Sequence, residues 1–201
     1  MTLKELTLSA TSGAWRLFAA RKADPAFLAF SKRVHERDNN TCQFCGFQAQ
    51  LYQEVVNLDQ DYRNNKLDNL VTACCFCAQC FFLEAVGKND YGGGTLIYMP
   101  EISQVELNGL CHVLFCAIAN ATNYRTDAQA IYRSFKLRAQ LVDEQLGEGM
   151  SNPSTFGQLL VETGANAETV LQNLRLLPSR TKFSQQIEEW AQAALQELKE
   201  E

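Results

Sequence analysis

The residues best suited to chemistry in this sequence are its cysteines. The 201-residue chain has eight of them, and six lie between Cys42 and Cys80. Cys42 and Cys45 form one C-x-x-C pair, and a second segment contains two overlapping pairs, Cys74 with Cys77 and Cys77 with Cys80. Two such pairs present four thiolates to one tetrahedral ion from tight turns. The spacing therefore predicts a structural zinc site with four cysteine ligands.

Zinc needs only four of the six cysteines. The first pair is unambiguous, whereas Cys74, Cys77 and Cys80 all qualify in the second segment, because Cys80 falls on the same face of the predicted helix as Cys77. Four thiolates leave no position for water or substrate. The ion is therefore expected to support the fold and not to activate a nucleophile.

The other thiols and the two histidines are expected to have ordinary structural roles. Cys111 and Cys116 lie in the apolar stretch LCHVLFCAIA, where a small thiol packs well in a core. His112 lies in the same stretch and is expected to be a satisfied core residue. His35 is expected at the polar edge of the helix before the first cysteine pair.

The elements that must position the cysteines indicate an α+β fold in residues 1–100. An N-terminal hairpin is predicted from two short apolar runs around a Thr-Ser-Gly turn, and Asp24-Pro25 predicts a helix start. Aromatic and β-branched residues predict a short hairpin after the first cysteine pair, and three glycines precede a strand that ends at Pro100. In order, we expect strands at 3–8 and 15–20, a helix at 24–37, a hairpin at 47–58, a helix at 74–86 and a strand at 95–99.

Residues 101–201 are predicted to be helical and to pack with residues 1–100 as one compact unit. Ser103 and Glu106 have capping-box spacing, and Asn152-Pro153 marks another helix start. The predicted helices run from Ser103 to about Asn120, from 126 to 146, and from starts at Asn152, Asn166 and Ser184.

Composition narrows the class of protein. The formal net charge is −5, with 46% hydrophobic and 20% charged residues, which is typical of a globular protein and disfavours nucleic acid as a partner. The sequence shows neither a secretory signal nor an apolar run long enough to span a membrane. These features predict a cytosolic protein, whose thiols are kept reduced and available for a metal.

Two segments, VHERDNNTCQFCG from residue 34 and LDNLVTACCFC from residue 67, resemble zinc-containing HNH endonucleases. The resemblance covers about residues 30–82 and implies a ββα core, in which a hairpin precedes a helix beside a catalytic divalent ion. It also implies that the structural zinc is held by Cys42, Cys45, Cys74 and Cys77.

The catalytic positions depart from that family. That family has an Asp-His pair, in which the His is the general base and the Asp helps to bind the catalytic metal. The corresponding residues here are Val56 and Asn57, and neither side chain can accept a proton at neutral pH. Ala78 replaces a later His or Asn, while Asn69 is retained. Asp59 and Asp61 are expected to be solvated loop carboxylates. The sequence thus predicts a non-enzymatic protein, with a metal-dependent nuclease and a nucleic-acid-binding zinc module without catalysis as alternatives.

Longer stretches, among them TCQFCGFQAQLYQEVVNLD, YGGGTLIYMPE and LRLLPSRTKF, resemble a family of cytoplasmic subunits of Dot/Icm type IVB secretion systems. The resemblance implies a subunit of the type IV coupling complex that binds the C-terminal extension of the coupling ATPase DotL. It implies the adaptors IcmS, IcmW and LvgA in the same complex, and contact with the bacterial inner membrane only through the ATPase.

A partner that docks as an extended tail needs exposed apolar anchors. The aromatic pair Phe81-Phe82 and Trp190 in the last predicted helix are the candidates for such anchors. Trp190 belongs to a stripe at helical spacing that is also typical of a helix packed on the rest of the protein.

Overall fold

The computed structural model describes residues 3–164 and 168–200 and has a mixed α+β architecture, as predicted. Its strands form two separate two-stranded antiparallel sheets. The strands are β1 Gln53–Asn57, β2 Leu70–Cys74, β3 Gly94–Tyr98 and β4 Leu174–Pro178. The helices are α1 Ala14–Arg21, α2 Pro25–Arg37, α3 Cys75–Ala78, α4 Gln104–Ala119, α5 Arg125–Leu137, α6 Ala139–Leu146, α7 Pro153–Thr163, α8 Glu168–Leu171 and α9 Ser184–Glu200.

The predicted N-terminal hairpin is wrong. Residues 3–10 contain no assigned strand, and residues 14–21 form helix α1. The buried residues of α1, Ala14, Phe18 and Arg21, recur at helical and not at strand spacing. The N-terminal segment bonds elsewhere: the Lys4 amide donates to the Gln43 carbonyl and the Ser9 amide donates to the Cys80 carbonyl. It therefore lines the two cysteine segments.

A β-β-α unit of β1, β2 and α3 carries the second cysteine segment, and the first segment precedes it in the chain. The hairpin expected over 47–58 is therefore wrong, because β1 pairs with β2 and not within that stretch. β1 pairs with β2 in a register that sets Gln53 opposite Cys74 at one end and Asn57 opposite Leu70 at the other. α3 begins directly after β2 and has only four residues. The helix expected over 74–86 continues instead as two 3₁₀ turns, Gln79–Phe81 and Leu83–Ala85.

The C-terminal part is mostly helical but contains one strand that the sequence did not predict. β4 pairs with β3, with Leu96 opposite Leu176, so this sheet joins residues on both sides of residue 100. The predicted helix start at Asn166 lies outside the described residues. The helix expected over 126–146 is divided at Arg138, whose guanidinium binds the Glu101 carboxylate at 2.7 Å.

Three predicted helix starts are confirmed by their caps. Asp24 accepts from the Ala26 amide at 2.9 Å, Ser103 and Glu106 form a reciprocal capping box, and Asn152 accepts from the Ser154 amide. Among the described residues, the helices are too short or too polar to cross a bilayer.

Candidate metal centre

The first cysteine pair lies in a tight turn. The Cys42 amide donates to the Phe47 carbonyl, and the Gly46 amide donates back to the Cys42 carbonyl at 3.0 Å. Gly46 has φ of +76°, a left-handed conformation that a residue with a Cβ adopts at a cost. The Gln43 amide donates to the Thr72 carbonyl of β2 at 2.8 Å, which holds this turn against the second cysteine segment.

The second pair is placed by a junction between a strand and a helix. Cys74 is the last residue of β2 and Cys77 lies one helical turn on, in α3. A strand followed at once by a helix turns both thiols toward the first pair. The four Sγ atoms of Cys42, Cys45, Cys74 and Cys77 all lie within 4.8 Å of one another.

The spacing of these sulfurs fits an ion at their centre. Four sulfurs at about 2.3 Å from a tetrahedral zinc lie about 3.8 Å apart, and the Cys45 and Cys74 sulfurs are 3.6 Å apart. A disulfide would need about 2.05 Å, and all four cysteines are free. Three of the four thiols are buried and Cys45 is half-buried. The cluster could thus hold a metal ion.

The remaining cysteines lie outside this cluster. The Cys80 thiol, the alternative ligand, donates to the Phe76 carbonyl at 3.3 Å. Cys111 is buried in the main core and Cys116 is half-buried near the end of α4. The arrangement favours the pairing of Cys74 with Cys77 over one that includes Cys80.

Burial dominates the electrostatics of the cluster. It raises the pKa of Cys74 and of Cys77 well above the usual value for a thiol, because a buried thiolate is costly without a cation. Burial also opposes ionisation of Cys42, but hydrogen bonds from the other three thiols outweigh it and hold the pKa of Cys42 well below the usual value. Ionisation of all four thiols, three of them buried, would therefore require a cation among them.

Helix α4 contributes two polar side chains that the sequence did not identify as part of the centre. Asn108 Nδ2 donates to Cys77 Sγ at 3.2 Å, and His112 Nε2 lies 3.3 Å from Cys74 Sγ. Burial lowers the pKa of His112 to about 3, so its imidazole is neutral. His35, by contrast, contacts the Thr72 hydroxyl at 3.1 Å through Nδ1.

Val56 and Asn57, which the sequence resemblance sets against the nuclease Asp-His pair, lie at the other end of the hairpin, and both are fully buried. Asn57 Nδ2 donates to the carbonyls of Asp61 and Asn64, each at 2.8 Å. Asn57 Oδ1 accepts from the Arg21 guanidinium. The amide of Asn57 therefore closes the loop after β1, and its oxygen is already in use.

Arg21 is a buried cation that no pattern in the sequence indicated. Its guanidinium also donates to the Val55 carbonyl, and it lies 4.4 Å from the ring centroid of Phe27 and 4.8 Å from that of Tyr62. Desolvation lowers the pKa of Arg21 to about 10, which still leaves it charged at neutral pH. A protein cation thus fills the space beside Asn57.

The loop carboxylates have local partners. Asp59 accepts from Asn69 Nδ2 at 2.8 Å, from Asn64 Nδ2 at 2.6 Å and from the Asp61 amide at 3.0 Å. Desolvation opposes its ionisation, but the bonds from Asn64 and Asn69 outweigh it and keep the pKa of Asp59 below its usual value. Asp61 accepts from the Arg63 amide. These contacts are typical of turn-forming Asp and Asn residues.

The three candidate partner anchors differ in exposure. Phe81 and Phe82 are buried, and the Phe82 ring packs 4.7 Å from the Phe18 ring, so both are core residues in this conformation. Trp190 is half-buried, and its indole donates to the carbonyl of the exposed Leu51 at 3.1 Å. Of the three, Trp190 is the one that is not buried.

Together, the fold and the cysteine cluster define a class: an α+β protein built around a four-thiol centre that could hold a metal ion. No family model matches the chain. The chain is, however, 61% identical over 198 residues to the type 4 apparatus protein DotN of Legionella pneumophila, a match that covers 96% of this chain and 92% of that protein. The chain therefore belongs to the DotN family.

Proposed function

We propose that this protein is a non-enzymatic structural or adaptor subunit of the type IV coupling complex of a Dot/Icm secretion system. The observation that carries the proposal is the 61% identity, over nearly the whole chain, to a type 4 apparatus protein. In this role the protein binds the C-terminal extension of the coupling ATPase DotL and helps to present effectors for export. It shares the complex with IcmS, IcmW and LvgA, in the bacterial cytoplasm at the inner membrane.

The proposed cofactor is one structural Zn²⁺ bound by Cys42, Cys45, Cys74 and Cys77. Four thiolates are a soft donor set that favours zinc over hard cations such as Mg²⁺. The distances between the sulfurs support this choice. We also propose that residues 1–100 and 101–201 act as one unit, because β3 of the first region pairs with β4 of the second.

The proposal of a non-enzymatic role is supported by the end of the hairpin at which Val56 and Asn57 lie, where the resemblance to HNH endonucleases would place a catalytic pair. Asn57 is buried, both ends of its amide are hydrogen-bonded, and Arg21 occupies the space beside it. A plasmid-nicking assay with Mg²⁺, Mn²⁺ or Ni²⁺ tests this point, and we expect no cleavage. Cleavage that disappears on mutation of Asn57 or Asp59 would establish a nuclease instead.

The main experiment is a binding measurement with purified components. The zinc-loaded chain is titrated with the C-terminal extension of DotL by calorimetry, and the stoichiometry is read by light scattering. We expect a defined complex, and absence of binding by the folded, zinc-loaded chain would refute the role proposed for this protein.

Trp190 and the adjoining Leu51 are proposed as part of the partner surface. Leu51 is exposed, so Leu51→Asp should leave the fold intact while placing a charge beside Trp190. Tyr124→Asp is the matched control, because Tyr124 is also exposed and lies at the start of α5. We expect weaker DotL binding for the first variant only. Equal affinities would move the docking surface elsewhere on the chain.

A further inference from the structure

Three polar side chains form a ladder along the buried face of α4. Gln104, Asn108 and His112 follow one another at intervals of four residues, and they are 3%, 0% and 9% exposed. The same helix buries apolar residues such as Leu107 and Phe115. Buried polar groups are costly unless each finds a partner, so the contacts of these three side chains explain why they are there.

Gln104 ties the ladder to β4. Its Oε1 accepts from the Leu176 amide at 2.7 Å, and its Nε2 donates to the Leu176 carbonyl at 2.9 Å. Nε2 also donates to Asn108 Oδ1 at 2.9 Å. Because this bond identifies the oxygen of the Asn108 amide, it turns the other end, Nδ2, toward Cys77 Sγ.

His112 is held in place by two rings, one from each cysteine segment. Phe47, just after the first pair, stacks on it with ring centroids 3.6 Å apart, and Phe76 of α3 stacks at 4.3 Å. The rings fix the plane of the imidazole and aim Nε2 at Cys74 Sγ. A thiolate can only accept, so Nε2 carries the hydrogen in this contact.

We propose that Asn108 and His112 are positioning residues of the metal centre, each giving one N–H to a thiolate of the second pair. The inference rests on the metal binding proposed above. A divalent ion with four thiolates carries a net charge of −2 in a buried site, and donors to sulfur reduce that cost. Outer hydrogen-bond partners of this kind typically change metal affinity about 10–100-fold.

The ladder also gives the metal centre a mechanical role. It connects Cys74 and Cys77 to α4 and, through Gln104, to the backbone of β4. Metal bound by the cysteines thereby holds the helical region against the hairpin. Loss of the metal would loosen α4 as well as the two cysteine turns.

The test uses the full chain and two substitutions that remove a donor but keep the shape. Asn108→Leu replaces the amide with an apolar group of similar size, and His112→Phe keeps the ring between Phe47 and Phe76. Asn120→Leu is the matched control, because Asn120 Nδ2 lies 3.5 Å from the sulfur of Cys116, which is outside the cluster.

Two quantities are measured for each variant. One is the rate of zinc transfer to a chelator, and the other is the thiolate-to-cobalt charge-transfer absorption of the Co²⁺-loaded protein. We expect about 10-fold faster release and a shifted absorption band for Asn108→Leu and His112→Phe. Asn120→Leu should match the wild type in both.

The possible outcomes separate this inference from the proposed metal site. A wild-type chain that takes up no zinc would refute the site itself. Zinc-loaded variants with unchanged release, or with faster release but an unchanged absorption band, would overturn the role of the ladder, because the band reports donors to the sulfurs. Should Asn108→Leu not fold, His112→Phe decides the question by the same two measurements.

Discussion

The two ends of the β1–β2 hairpin differ in their cations: one end has four thiols that could bind a metal ion, and the other contains the side chain of Arg21. At the end where Gln53 faces Cys74, four thiols converge and the nearest polar groups, Asn108 and His112, are neutral. At the end where Asn57 faces Leu70, Arg21 already provides a cation. The first end therefore has donors available for a metal ion, whereas at the second the oxygen of Asn57 is occupied by the protein itself.

The two ends of the hairpin differ because they depend on different side chains. Metal binding by the cysteine cluster requires four sulfur atoms close together, and the backbone of the two cysteine segments sets their positions. Catalysis at the other end would need a basic or metal-binding side chain, and Val56 has no polar atom while the Asn57 oxygen already accepts from Arg21. The predictions below test this contrast, starting with the largest expected effect.

Loss of one cluster thiol should have the largest effect. Cys77→Ser removes one of four proposed ligands, and in small zinc modules metal binding supplies on the order of 10 kcal/mol of folding free energy. We expect the variant to lose its metal and the N-terminal region to unfold. Elemental analysis and thermal melting measure the two effects.

Two further substitutions serve as controls for ligand identity. Cys75→Ser changes a thiol next to the cluster but outside it, and should keep the metal. If Cys80→Ser loses the metal while Cys74→Ser retains it, the assignment of the second pair is wrong.

Removal of the internal cation should have the next largest effect. Arg21→Met leaves Asn57 Oδ1 and the Val55 carbonyl without their donor in a buried place. A buried acceptor that loses its hydrogen-bond donor costs about 1–3 kcal/mol. We therefore expect a clear loss in the free energy of unfolding, measured by urea denaturation. The metal content should not change, because the cluster lies at the opposite end of the hairpin.

Lys22→Met is the matched control for Arg21→Met. Lys22 is the neighbouring residue, is 45% exposed and pairs with Glu54. Exposed ion pairs contribute about 0–1 kcal/mol. Equal losses for the two variants would contradict the view that Arg21 is a structural cation.

The sequence predicted the cysteine end of the hairpin far better than the other end. C-x-x-C spacing is a local signal, and the helix caps at Asp24, Ser103 and Asn152 are local as well. Arg21, in contrast, contacts residues 34 and 36 positions away. No local pattern reports such a contact, and an arginine at the end of a helix is usually solvated.

Two further features were not predicted from the sequence: strand β4 and the polar contacts of α4 with the cysteines. β4 is defined by its pairing with β3, about eighty residues earlier, and strand preference depends strongly on such context. The spacing of Gln104, Asn108 and His112 was visible in the sequence. Taken singly, however, each of these three residues is typical of an isolated polar residue in an apolar helix.

Glu84 has a buried carboxyl group, which contrasts with the buried cation Arg21. Both carboxylate oxygens of Glu84 are buried, and neither has a hydrogen-bond partner among the described residues. Desolvation raises the pKa of Glu84 to about 7, and its own backbone amide and the charge of Lys88 offset this only in part. Unlike Arg21, Glu84 should therefore change its charge near neutral pH.

The sign of the resulting pH dependence follows from the raised pKa. Below the unfolded value of 4.5 the carboxyl is neutral in both states, and its contribution to stability is lost as the pH rises to about 7. Glu84→Gln should flatten this decline and stabilise the protein at pH 8 by on the order of 1 kcal/mol, after allowance for partial exposure. Urea denaturation from pH 4 to 8 measures it, with the exposed Glu188→Gln as control. A variant with the same decline as the wild type would contradict the assignment.

The smallest effect is expected from Asp59, a carboxylate in the loop after β1. Asp59→Ala removes bonds from Asn64 and Asn69, but Asp59 is exposed, so we expect a loss of about 0.5–1 kcal/mol in the free energy of unfolding. The sharper measurement is the melting temperature with and without Mg²⁺, because an ion that binds the folded state raises it. With Arg21 in place, Mg²⁺ should leave the wild type and the variant unchanged. A rise in the wild type that Asp59→Ala abolishes would mean that this end of the hairpin also binds a metal, and the contrast between the two ends would no longer hold.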